Sequence, residues 1–271
     1  MTFSHPVSRP PAVAGMFYPD SPGELASTVD QLLAEAPTVA MPQPKALIVP
    51  HAGYIYSGST AAMAYGALAP WRSSIHRVIL LGPTHRVGVD GIALPKTDAF
   101  STPLGDIPLD AEAIAQLAEL PQIVFSDHVH AQEHSLEVHL PFLQRLLDNF
   151  TLVPIAVGHA TPQAVAEVLD RLWGGPETLI VISSDLSHFL PYADANRIDR
   201  NTCQHILHLD TSLHPDQACG AYPVNGLLLT ARQRGLTPQL IYQCNSGDTA
   251  GDKQRVVGYA AFAFYETDDH E

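Results

Sequence analysis

Four short apolar runs constrain this chain more than any other feature: ALIVP at 46–50, VILLG at 78–82, LVPIAV at 152–157 and LIVIS at 179–183. None alternates apolar with polar residues, so each reads as a strand buried on both faces, which is the pattern of a parallel sheet covered by helices. The stretches between them agree. Residues 59–68 are rich in alanine and long enough for a crossover helix, while residues 161–173 open on Thr161-Pro162, an N-cap followed by an N1 proline. A strand, a helix and a second strand in this order make a βαβ unit, whose strands run parallel.

Further elements extend the pattern. A helix is predicted over 21–36, where Ser21, Pro22 and Glu24 supply an N-cap, an N1 proline and a capping-box acid ahead of the Leu25, Val29, Leu32, Leu33 stripe, and Pro37 stops it. Another is predicted over 224–234, ending at Gly235, and the runs 239–243 and 256–264 close the sheet. The expected fold class is α/β, a mostly parallel central sheet with helices on both faces. There is no repeat and no linker-like tract, and 271 residues fit one large core, so a single domain over 1–271 is expected.

Composition excludes several classes of function. Hydrophobic residues make up 46% of the chain and charged residues only 15%, which argues against disorder. Acidic residues outnumber basic ones 28 to 14, a formal charge of −14 that repels phosphate backbones and anionic lipid, so neither nucleic acid nor membrane is expected as a partner. The opening residues MTFSHPVSRPP lack the basic-then-apolar order of a secretion signal, and no stretch reaches the roughly 18 apolar residues that span a bilayer. Three cysteines without CxxC spacing fit a reducing compartment, and a cytoplasmic protein is expected.

In open parallel sheets, ligands bind beyond the carboxyl ends of the strands. Three of the strand ends here lead to histidine: His51 after the first run, His85 after the second, and the Asp185/His188 pair after the fourth. Each admits two readings. His51 can give a neutral nitrogen to a metal or sit in a hydrogen-bonded turn, and the Gly82-Pro83-Thr84-His85 segment reads equally as a tight strand exit. Asp185 stands three residues before His188, where a carboxylate can orient an imidazole or cap a helix. The histidines of Glu133-His134-Ser135-Leu136-Glu137-Val138-His139 are five apart, not the four that stack on one helical face, so this stretch reads as pocket wall and helix start. The roles of Glu133, His134, Glu137 and His139 are left open.

Taken in order, the strings PHAGYIYSG, LLGPTH, EHSLEVHLPF, SSDLSH and CGAYPV resemble the Memo family, whose bacterial and archaeal members are called protein B of the AmmeMemoRadiSam system. The resemblance runs from about residue 13 to 264. It implies a fold similar to class III extradiol dioxygenases and a metal, iron or copper, bound by His51, His85 and Cys219. It also places Asp185 and His188 in the pocket, with His188 at the dioxygenase acid/base position. The dioxygenases carry a carboxylate where this chain has Cys219, and a soft thiolate favours copper(I), zinc or iron. After the cysteine, Ala221-Tyr222 replaces the basic dipeptide of animal members. Cys203 and Cys244 read as small buried hydrophobes.

Three functions compete at this point. One is a redox metalloenzyme acting on a small molecule. The second is a non-catalytic module that receives a peptide or partner in its metal pocket, and the family name implies an AMMECR-type protein and a radical SAM enzyme as associates. The third is a zinc hydrolase, since His2Cys ligation also serves catalytic zinc.

Overall fold

The computed structural model describes residues 7–37 and 42–267, so the first six residues of the segment read for a leader lie outside it. The strands in chain order are β1 (Ser8–Arg9), β2 (Ala46–Val49), β3 (Arg77–Pro83), β4 (Ile92–Leu94), β5 (Ala99–Thr102), β6 (Gly105–Pro108), β7 (Ile123–Phe125), β8 (Thr151–Val157), β9 (Thr178–Ser183), β10 (His188–Leu190), β11 (Thr237–Asn245) and β12 (Val256–Tyr265). The helices are α1 (Pro22–Glu35), α2 (Tyr54–Gly66), α3 (Ala111–Leu117), α4 (Asp127–Ala131), α5 (Leu140–Leu146), α6 (Pro162–Arg171), α7 (Tyr192–Leu207) and α8 (Ala221–Arg234).

The four apolar runs form the middle of the main sheet, side by side in the order β2, β9, β3, β8, and all three pairings are parallel. Their carboxyl ends therefore share one edge of the layer. Antiparallel strands flank this centre. On one side β12 pairs with β2, with β11 and, through its first residues, with β10; on the other β4 runs against β8 and carries β7 parallel to itself. A separate three-stranded sheet, β1-β5-β6, brings the N-terminal segment alongside.

Alternate residues of each central strand bury into opposite cores, as the pleat requires. Ile48, Ile79, Leu81, Ile155, Ile180 and Ile182 face a core shared with α3, α6, α7 and α8. Leu47, Val49, Val78, Leu80, Leu179 and Val181 face a core shared with α1, α2 and α5. Both faces being apolar is why these strands read as unbroken hydrophobic runs. At about 25 cal/mol per Å2 of apolar surface, this double burial dominates the stabilisation.

Several local expectations shift. α1 starts at the expected place with Ser21 at the N-cap position and Pro22 inside it, yet the Ser21 side chain makes no capping bond. α2 begins at Tyr54, five residues before the Ala-rich stretch, because Gly53 serves as N-cap and the Tyr-Ile-Tyr turn is already helical. Thr161 caps α6 through Ala164 N, and Gly235 ends α8 in the left-handed region at φ 71. α7 had no sequence signal strong enough to predict it. No described helix is long and apolar enough to cross a membrane.

Candidate metal centre

Each predicted strand exit delivers its residue to the shared edge, and a fourth segment joins them from outside the parallel centre. His51 follows β2, and its backbone amide donates to Asp185 Oδ1 at 2.7 Å, tying the turn after β2 to the turn after β9. Its Nδ1 lies 2.6 Å from Ser183 Oγ, at the end of β9. His85 follows β3. Gly82, within β3, lets residues 133–139 lie on that strand, since a Cβ there would come within 2.7 Å of Ser135 Oγ and 2.9 Å of Leu136 Cδ2. Ser135 Oγ then donates to the Pro83 carbonyl at 2.8 Å, and His134 arrives beside His85.

His51, His85 and His134 form the group: one ring nitrogen from each lies within 4.8 Å of the others, a group that can hold a metal ion. The His85 and His134 rings stack at 4.6 Å, and His51 meets both edge-on at 5.1 and 5.5 Å. Phe17 packs on the outer side of His134 at 4.7 Å. Burial, then the neighbouring imidazoles, keep His51 well below the ordinary histidine pKa, and burial with His85 brings His134 down to about 4. Both rings are therefore neutral near pH 7 and offer lone pairs, which is the state a metal requires.

Glu133 orients this group. Its carboxylate accepts from the His85 amide at 2.5 Å, the His85 Nδ1 at 2.9 Å and the amides of His134 and Ser135 at 3.0 and 2.9 Å. Burial alone would raise its pKa, but these bonds and the His85 charge bring it down to about 2. Being ionised it only accepts, so the His85 Nδ1 must donate to it, and the neutral form of His85 then has its lone pair on Nε2.

Of the remaining predicted residues, Cys219 sits next to His51, with Sγ 3.4 Å from Nε2, but outside the three-histidine group. Its thiol is pushed well above the usual range by burial and then by the Asp185 charge. Gly220 makes this placement feasible, since a Cβ there would strike the Ser183 carbonyl at 2.5 Å. Asp185 does not orient His188 by a direct bond. It holds the amides of His51 and Ala52, while His188 Nδ1 donates to the Leu186 carbonyl at 2.8 Å. No helix starts at Asp185; the chain runs on into β10.

Glu137, whose role the sequence left open, turns to the N-terminal segment. It pairs with Arg9 and accepts from Ala12 N at 2.7 Å, Val13 N at 2.9 Å and Tyr18 Oη at 2.6 Å. His139 faces inward, 2.8 Å from Ser183 Oγ. Nothing in the local sequence marks Glu133 as an orienting carboxylate or Ser183 as its counterpart under His51, because their partners are 48 and 132 residues away.

Fold and group together define an α/β protein with a site fit to hold a metal ion at the carboxyl edge of its parallel strands. The sequence pattern of one family, described as Memo-like protein, matches residues 9–263. A MEMO1 family protein of Ignicoccus hospitalis is 36% identical over 282 aligned positions, covering 94% of this chain and 98% of its own length. One from Aquifex aeolicus is 36% identical over 269, with coverage of 94% and 98%. The chain belongs to the Memo family.

Proposed function

We propose that the protein is a metalloenzyme of redox type, acting on a small molecule and related to the class III extradiol dioxygenases. In this reading His51, His85 and Cys219 hold the ion, with His134 as a further donor from the same group. Iron is the preferred metal, with copper and zinc as the alternatives. The observation that supports it most is the convergence of three imidazoles, two of them held neutral by burial, with a thiol 3.4 Å from one of them. A mixed nitrogen and sulfur set of this kind suits iron, copper or zinc and is a poor match to magnesium or calcium.

A bound redox metal would supply electron transfer and Lewis acidity. The chain supplies the rest. His188, held through Nδ1, keeps Nε2 free as the acid/base group, and Asp185 fixes the turn that carries His51. A pocket of about 400 Å3 bordered by Thr84, Asp90, His159, Cys219 and Tyr222 adjoins the group at Cys219, and with the Asp90 carboxylate but no lysine or arginine in its lining it disfavours an anionic ligand. The free cysteines fit action in a reducing cytoplasm.

A second reading, a non-catalytic module that engages a peptide or an AMMECR-type or radical SAM partner, is favoured by Phe189. That side chain is 59% exposed and its backbone is in the left-handed region at φ 60, directly beside His188. Strain of this kind concentrates at functional positions. Elemental analysis of anaerobically purified protein, followed by iron(II) titration and oxygen-uptake assays on wild type and His188→Ala, separates the two. Bound metal with turnover lost in His188→Ala supports the enzyme. Bound metal with no oxygen uptake in either protein supports the module, and absence of any metal affinity defeats the enzyme.

A further inference from the structure

The residues beneath the metal group form a closed hydrogen-bond series that neither the metal reading nor the family pattern accounts for. It runs from Tyr65 on α2, through His139 and Ser183, to His51. Tyr65 Oη is 2.9 Å from His139 Nδ1, His139 Nε2 is 2.8 Å from Ser183 Oγ, and Ser183 Oγ is 2.6 Å from His51 Nδ1. The same Ser183 hydroxyl donates to the Ser135 carbonyl at 2.6 Å. All four side chains are at most 2% exposed, so no solvent is available to complete an unmade bond.

Donor accounting allows one arrangement of protons. The Ser135 carbonyl can only accept, so the single Ser183 proton goes there, and both Ser183 lone pairs must receive N–H groups. One comes from His139 Nε2 and the other from His51 Nδ1. With its proton on Nε2, His139 has a bare Nδ1, which accepts the Tyr65 hydroxyl. Reversing the series leaves a buried tyrosine proton and a buried carbonyl without partners, about 1–3 kcal/mol for each. His139 is not a proton store either, because burial brings its pKa down to about 3.

We infer that Ser183, set by His139 and Tyr65, acts as a positioning residue that locks His51 in the Nδ1–H tautomer and so aims a bare Nε2 at His85, His134 and Cys219. The role of that nitrogen rests on the metal reading, whereas the tautomer does not. The arrangement complements Glu133, which does the same for His85 from the other side of the group. One ligand is thus oriented by a charged acceptor and the other by a neutral hydroxyl.

The test uses 15N-labelled, metal-free full-length protein. Two-bond 1H–15N correlations of the His51 ring report which nitrogen is protonated, and zinc(II) serves as the metal probe. In the wild type the proton is expected on Nδ1. In Ser183→Ala that proton loses its acceptor while an Nε2–H finds Cys219, so His51 shifts toward the Nε2–H form and zinc affinity falls about 10- to 100-fold. Ser183→Thr, which keeps the hydroxyl, restores both. A wild-type His51 protonated on Nε2 overturns the inference without recourse to any variant. An unchanged tautomer and affinity in Ser183→Ala also overturns it. A wild type with the expected tautomer that fails to bind zinc supports the lock and counts against the metal reading instead.

Discussion

Nε2 of His51 and Sγ of Cys219 stand 3.4 Å apart although 168 residues separate them in sequence. Burial keeps the thiol protonated, with the lone pair that a metal would use and the Asp185 carbonyl, 3.7 Å away, as the two acceptors within its reach. A cation must therefore displace that proton, and its affinity should rise with pH by roughly tenfold per unit for each proton released. Cys219→Ser should weaken iron(II) binding by roughly 100-fold or more, beyond the usual cost of a supporting residue. Cys203→Ser and Cys244→Ser should leave it unchanged, because Cys203 packs in the core with α7 and Cys244 meets Thr60 at 3.1 Å. Anaerobic titration of the three variants is the check, and equal losses would remove Cys219 from the ligand set.

Glu133→Gln tests the other half of the site. An amide in place of the carboxylate keeps the shape but turns one acceptor into a donor facing N–H groups that need acceptors. Metal affinity should drop about 10- to 100-fold. Thermal unfolding should show a loss of roughly 1–3 kcal/mol. A loss of stability alone, with affinity intact, would make Glu133 purely structural.

The fold should be acid-labile for a reason separate from metal. His51, His130, His134 and His139 are all held below the ordinary histidine pKa by burial, His130 to about 4 and His139 to about 3. Below about pH 6.5 the unfolded chain protonates these rings while the folded chain resists, so stability is full above that range and falls as pH drops toward 4. Each proton taken up on unfolding contributes roughly 1–2 kcal/mol per pH unit. Glu133 adds to the same trend further down, its contribution present above about pH 4.5 and lost toward 2. Denaturant melts of metal-free protein between pH 7 and 5 should give a slope of up to four protons; a flat profile would contradict the neutral rings.

Much of this was legible beforehand, and the limits have physical causes. The strands β2, β3, β8 and β9 announce themselves because a strand buried on both faces must be apolar throughout, and their shared direction then puts His51, His85 and the turn at Asp185 on one edge. α7 was hidden because its sequence, YADANRIDRNTCQHIL, buries only five residues and carries charge along the rest. His134 as a member of the group was not legible, since what brings it there is the absence of a Cβ at Gly82, over 50 residues away in sequence. Likewise the three-residue spacing of Asp185 and His188 suggests an oriented imidazole or a helix cap, whereas the carboxylate accepts from the amide of His51, a partner 134 residues away.

Glu137→Gln should release the N-terminal segment. The carboxylate gathers Arg9, two backbone amides and Tyr18, and without its charge Arg9 is left as a buried cation. A loss of about 3–5 kcal/mol is expected. Phe17, which lies between those anchors and Tyr54, should then leave the face of His134. Limited proteolysis should cut within residues 9–18 in the variant and spare them in the wild type; identical cleavage would show that the segment is held elsewhere.

β12 occupies the place between β11 and β2, although it is the last strand in sequence among the described residues. Until residue 265 has left the ribosome, the edge of β2 stays bare, with unpaired amides flanked by Leu47 and Ile48. A nascent chain therefore presents a sticky, half-built sheet until β12 has emerged and paired. A chain that stops short of Val256–Tyr265 keeps that edge of β2 open to pairing with other chains.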